Sequence, residues 1–102
     1  MSFRTVITPR ALGDLRQIRD YIALRSPENA AKFLNKLLAE LDKLERQPRA
    51  FARAPEDELV PYDLHQYVIR PYRILYRIRG KVVEILHVRH GARRRATRSD
   101  LD

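Results

Sequence analysis

Between Tyr72 and Arg89 the chain reads YRILYRIRGKVVEILHVR, two stretches that alternate apolar and polar residues on either side of Gly80-Lys81. A period of two flanking a two-residue turn restricts this part of the chain to an antiparallel hairpin, and glycine at the first central position suits a type II′ turn. In that register Arg79 lies opposite Val82, Arg77 opposite Glu84, Leu75 opposite Leu86, and Arg73 opposite Val88. One face, with Ile74, Tyr76, Ile78, Val83 and Ile85, must then be buried, because a period-two strand sends its apolar set to one side. The other face carries Arg73, Leu75, Arg77, Glu84, Leu86 and Val88. Arg77 and Glu84 pair across the strands, which leaves Arg73 as the unpaired cation there. His87 is expected toward the buried face, at the edge of the core. A preceding strand from about Leu64 to Arg70 makes a three-stranded antiparallel meander.

Upstream the pattern changes. Residues 2–7 alternate as a short strand, and Thr8-Pro9 then starts a helix: the hydroxyl caps free N–H groups, and proline sits in the first turn without losing a bond. Ala11, Leu15, Ile18 and Ile22 fall on one side of this helix, which should end near Arg25. Ser26-Pro27 repeats the signal, and a second helix runs to about Arg46 with Ala30, Phe33, Leu34, Leu37, Leu38, Leu41 and Leu44 on its inner stripe. Pro48 ends it. Two amphipathic helices with almost no linker form an antiparallel hairpin. The order strand, helix, helix, three strands predicts a two-layer α+β fold in a single domain spanning residues 1–102.

Charge is distributed unevenly. Tyr67 to Arg98 holds nine arginines, one lysine and only Glu84 as an acid, a local charge of +9, whereas the rest of the chain nets −1. A dense arginine surface is suited to an anionic partner. The basic exit from the sheet, from about residue 90, includes His90, Gly91, Arg93, Arg94, Arg95 and Arg98. The acidic run Glu56 to Glu58 either holds this exit in place or solubilises a loop; the sequence leaves both open. No cysteine is present, so disulfide and thiolate chemistry are excluded. Three histidines, His65, His87 and His90, show no metal-ligand spacing, and neither a metal nor another cofactor is expected. The N-terminus lacks an apolar signal core and no run reaches the roughly 20 apolar residues of a spanning helix, so the expectation is a cytoplasmic protein with no membrane role.

The segments SPENAAKFLNKLL and PYRILYRIRGKVVEILHVRHGARR resemble the RelE/ParE superfamily of bacterial type II toxins, and within it the ParE branch. The resemblance covers Thr8 to Arg95. It implies a toxin that inhibits DNA gyrase by binding, without catalytic residues or a small-molecule cofactor. It also implies neutralisation by a cognate ParD-like antitoxin in a heterotetramer or larger complex. From the distribution of charge, the residues expected to meet the target are Arg73, Arg89, His90, Arg93 and Arg94, with Arg73, Arg89 and Arg93 also meeting antitoxin acids.

The alternative is a RelE-like endoribonuclease that cuts messenger RNA on the ribosome. Attack by a 2′-hydroxyl needs a base, cations at the phosphate and an acid for the leaving oxygen. By resemblance Arg73 and Arg93 match phosphate-binding arginines of those nucleases. Their lysine pair falls near Leu64 and Gln66, and their C-terminal tyrosine near Ser99, none of which can do that chemistry. A histidine would have to substitute as base, and His90, at the strand exit, is the best placed for a functional contact. A plain basic nucleic-acid-binding module is a third reading, disfavoured because the strands lack an RNP-like aromatic pattern.

Overall fold

A computed structural model describes residues 3–92 and 95–101. They form β1 (Arg4–Ile7), α1 (Pro9–Arg25), α2 (Pro27–Arg46), 3₁₀ turns at Pro48–Ala50 and Pro55–Leu59, β2 (His65–Ile69), β3 (Tyr72–Arg79), β4 (Val82–His90) and α3 (Arg98–Leu101). The strands make one sheet in the order β1-β4-β3-β2, with β1 parallel to β4 and the other pairs antiparallel. The expected α+β architecture, with its N-terminal strand, helical hairpin and meander, is the one observed. Ser2, placed in the first strand by its pattern, lies outside the described residues.

Both helix starts are built as the cap residues dictate. The Thr8 hydroxyl accepts from the Ala11 amide at 3.3 Å, and the Ser26 hydroxyl accepts from the Asn29 amide at 3.1 Å. The helices bury Ala11, Leu15, Leu37, Leu41 and Leu44 against Ile74, Tyr76, Val83 and Ile85 of the sheet. Leu38 departs from the expected inner stripe: its side chain stays 64% exposed. Position 38 lies on the flank of the stripe set by 34, 37 and 41, and that flank is left in solvent.

The β3–β4 hairpin begins in the expected register. Arg79 faces Val82 and Arg77 faces Glu84. Gly80 has φ +58°, and no non-glycine residue among those described has positive φ, which matches a type II′ turn. Past Tyr76, which faces Ile85, the register shifts by one: Leu75 meets His87 rather than Leu86, and Arg73 meets Arg89 rather than Val88. One extra residue in β4 is a β-bulge, and it moves every later side chain to the opposite face. Val88 therefore joins the helix-side core. His87 shares the face of Leu75 instead of pointing to the helical layer.

That second face is not open. Leu64 and Leu75 are fully buried there with Ala54, Ala96 and Leu101, and Val60, Tyr62 and Leu86 pack around them. The long connection between α2 and β2 and the C-terminal segment thus cover the sheet opposite the helices. Where β1 ends, α1 takes over the free edge of β4: the Thr8 hydroxyl donates to the Ile85 carbonyl at 2.8 Å, and Asp14 Oδ2 accepts from the Val88 amide at 3.0 Å. The Thr8 amide also donates to the Ile85 carbonyl at 3.1 Å, so the edge groups of β4 keep partners where β1 ends.

The two leucine environments on α2 separate in a denaturant titration. Leu44→Ala is expected to lose about 2–5 kcal/mol through cavity formation, whereas Leu38→Ala should change stability by no more than about 0.5 kcal/mol. Equal losses would contradict the packing described.

Candidate functional site at the sheet exit

Arg73 lies near the start of β3, where the bulge has brought it opposite Arg89. Two neighbouring guanidinium groups on one face need anions, and the chain supplies them from distant positions. Glu56, only 1% exposed, accepts from Arg73 Nη1 at 3.0 Å and from Nη2 at 2.6 Å, a bidentate pair. Gln66 Oε1 accepts from Arg73 Nε at 3.0 Å. Glu56 Oε2 also accepts from the Ala96 amide at 2.8 Å. Burial by itself would raise the Glu56 carboxyl, but Arg73 and the Ala96 amide outweigh it and hold the group below its ordinary range. The expectation that Arg73 is an unpaired cation is thereby corrected. The acidic run supplies its counter-ion, and one of its members anchors the C-terminal segment.

Arg89 is also turned inward and is 7% exposed. Its Nη1 donates to His87 Nε2 at 2.8 Å, and Asp100 Oδ2 lies 3.5 Å from the same nitrogen. A guanidinium has no acceptor, so Nε2 must carry the lone pair and His87 is the Nδ1–H tautomer, donating to Asp14. Burial opposes ionisation of Asp14, but its bonds from His87 and from the Val88 amide prevail and lower its carboxyl. This chain of contacts joins α1, β4 and α3. Asp14 was not apparent as a site residue, although an acid at the stripe spacing of Ala11, Leu15 and Ile18 is the available signal.

The histidines divide by exposure. His87 has both ring nitrogens engaged inside the fold. His65 stacks on Tyr76 at 5.3 Å, with its Nδ1 3.0 Å from the Phe51 carbonyl oxygen. His90 is exposed, its ring edge-on to Tyr72 at 5.5 Å, and its Nδ1 accepts from the Ala92 amide at 3.0 Å. Beside it Gly91 donates to the Pro71 carbonyl at 2.7 Å. A Cβ at residue 91 would stand 3.2 Å from that oxygen, so the close passage of the exit over the β2–β3 turn favours glycine. Of the five residues expected to meet the target, only His90 is seen exposed; Arg73 and Arg89 are internal, and Arg93 and Arg94 lie outside the described residues. Among the residues expected near a nuclease centre, Leu64 is fully buried in the second core and Gln66 is bound to Arg73.

A second surface lies on the helical side. Ile7, Leu12, Leu15, Leu34, Leu37 and Leu38 line a groove of about 410 Å³ that Arg16 and Arg19 border. No cluster that could hold a metal is present among the described residues, and no helix among them is long and apolar enough to cross a membrane.

Residues 5–95 match the ParE toxins of type II toxin-antitoxin systems of the parDE type. The chain belongs to that family. Toxin RelE2 of Caulobacter vibrioides is 38% identical over 92 residues, covering 88% of this chain and 97% of the relative. Toxin RelE1 of the same organism is 29% identical and covers 93% and 100%. Among solved structures, the chromosomal ParDE system of P. aeruginosa is similar with a TM-score of 0.70 and 26% identity, covering 88% of this chain and 96% of that one. The RelBE2 complex of Mycobacterium tuberculosis has the same fold at a TM-score of 0.59, 24% identity and coverage of 88% and 99%. This protein is therefore a type II toxin of the ParE/RelE superfamily.

The Glu56–Arg73 pair predicts a defined pH response. Because the folded carboxyl is more acidic than the ordinary value of 4.5, its contribution is complete above that pH and is lost as pH falls through the lower folded value. Wild type should therefore lose its advantage over Glu56→Gln between neutrality and acid when both are unfolded in denaturant across that window. A constant difference down to strongly acid pH would contradict the pairing.

Proposed function

We propose that this toxin acts by binding DNA gyrase rather than by cutting RNA, and that a cognate ParD-like antitoxin holds it inactive. The observation that carries the reading is the engagement of Arg73. A guanidinium held bidentately by a buried carboxylate is not available to a scissile phosphate, and Leu64, Gln66 and Ser99 offer no base or acid. Membership of the ParE family supports the same choice. The names of the two Caulobacter relatives favour the second reading, a RelE-like endoribonuclease, for which exposed His90 is the remaining candidate base.

In the gyrase reading, the target meets the sheet exit through His90, Arg93 and Arg94, where exposed Arg95 adds charge. The antitoxin lays apolar side chains in the helical groove beside Leu12 and Leu38 and sets its acids against the exit arginines, Arg93 among them. Arg73 and Arg89 drop out of both surfaces, because their charges are already met inside the fold. Apolar burial supplies affinity that salt does not screen, while the acids guide association.

A reconstituted reaction distinguishes the targets. Purified toxin should block supercoiling, or trap cleaved DNA, in a mixture of gyrase, ATP and plasmid without ribosomes. The Arg93→Ala/Arg94→Ala double variant should lose that effect, with its thermal melt compared with wild type to establish that it is folded. Cleavage of messenger RNA on ribosomes, with gyrase unaffected, would establish the nuclease instead.

A further inference from the structure

A cavity of about 530 Å³ opens where α1, the loop before β2, the middle of the sheet and α3 meet. Its lining shares no residue with that of the helical groove. Its walls bring together arginines from three elements: Arg10 of α1, Arg77 of β3 and Arg98 of α3. Asp100 is the one acid on the lining, and Asp14 and Glu84, just outside it, pair with Arg10 and Arg77. Arg98 is exposed and makes no ion pair or hydrogen bond among the described residues. Arg10 makes long ion pairs, 3.5 Å to Asp14 and 3.9 Å to Asp100, and its Nη2 lies 3.4 Å from His87 Nε2. Arg77 is fixed from two sides, by Glu84 on its Nε at 2.7 Å and by the Tyr62 ring 4.6 Å from its guanidinium carbon. The remaining wall is apolar, formed by Val60, Pro61, Leu86 and Leu101.

A cavity lined by guanidinium groups and by an apolar wall calls for an anion attached to a flat or apolar body. Guanidinium forks match phosphate oxygens bidentately. A phosphate monoester carries about −1.5 to −2 at neutral pH, which exposed Arg98 and the loosely paired Arg10 can meet. The volume lies in the range of about 300–1,000 Å³ usual for small-molecule sites, with room for a base and sugar beside the phosphate. We infer that this cavity binds a nucleoside 5′-monophosphate unit, its phosphate between Arg10 and Arg98 and its base against Leu86 and Leu101. Such a unit comes either as a free nucleotide or as the 5′ end of a nucleic-acid strand.

Calorimetric titration of the purified full chain with adenosine 5′-monophosphate tests the assignment. Saturable binding of one nucleotide per chain is expected, with adenosine and inorganic phosphate each at least about tenfold weaker, because each fills half of the site. Arg98→Ala should weaken nucleotide binding about tenfold with an unchanged melting curve, and Arg98→Lys should restore part of it. A trinucleotide with a 5′-phosphate and one with a 5′-hydroxyl separate the sources. Preference for the free nucleotide over the phosphorylated trinucleotide assigns a soluble ligand, and the reverse preference assigns a strand end. The inference is overturned by absence of saturable binding, by wild-type affinity in Arg98→Ala, or by trinucleotide binding that ignores the 5′-phosphate.

Discussion

The buried pair between Glu56 and Arg73 organises the half of this molecule that faces away from the helices. A carboxylate out of water is costly unless its oxygens are filled. Here they are filled by both terminal nitrogens of one arginine and by the Ala96 amide. One side chain thus ties the loop after α2 to β3 and to the C-terminal segment. With that tie in place Ala54, Leu64, Leu75, Ala96 and Leu101 can close into a second core. Without it the C-terminal segment would have to hold its place through Leu101 and the contacts of Asp100.

The same tie bears on function. Arginine is a good ligand for phosphate, and Arg73 stands where the superfamily resemblance places a phosphate-binding group. Whether it can serve depends on what already occupies its donors. In this chain three of its nitrogens are engaged by Glu56 and Gln66, and its side chain is 12% exposed. Farther along the chain, Arg95 and Arg98 are exposed, and Arg98 lies on the wall of the second cavity. Basicity read from composition is therefore divided in the fold between internal counter-ions and outward surface.

The helices were legible because their signals are local. Thr8-Pro9 and Ser26-Pro27 act within one turn, and both caps form as the residues imply. The turn at Gly80-Lys81 was legible for the same reason. Beyond it the reading failed at Leu86-His87, because an alternating pattern contains no mark for one extra residue, and the bulge exchanged the faces of His87 and Val88. Glu56 was ambiguous for a different reason: its partner is 17 positions away, across a loop whose path no local rule sets. Asp14 meets His87 at a separation of 73 positions, and only its place on an apolar stripe hinted at burial. The fold was thus clearer than the site, since charge pairing at the exit is entirely tertiary.

The central claim is that Arg73 is an internal counter-ion rather than a contact for target. A double-mutant cycle on Glu56→Gln and Arg73→Met, read by denaturant unfolding and by growth arrest, tests it most directly. A coupling energy of about 1–3 kcal/mol is expected, with toxicity retained by the double variant wherever it remains folded. Zero coupling, together with an Arg73→Met protein that is as stable as wild type yet harmless, would contradict the account.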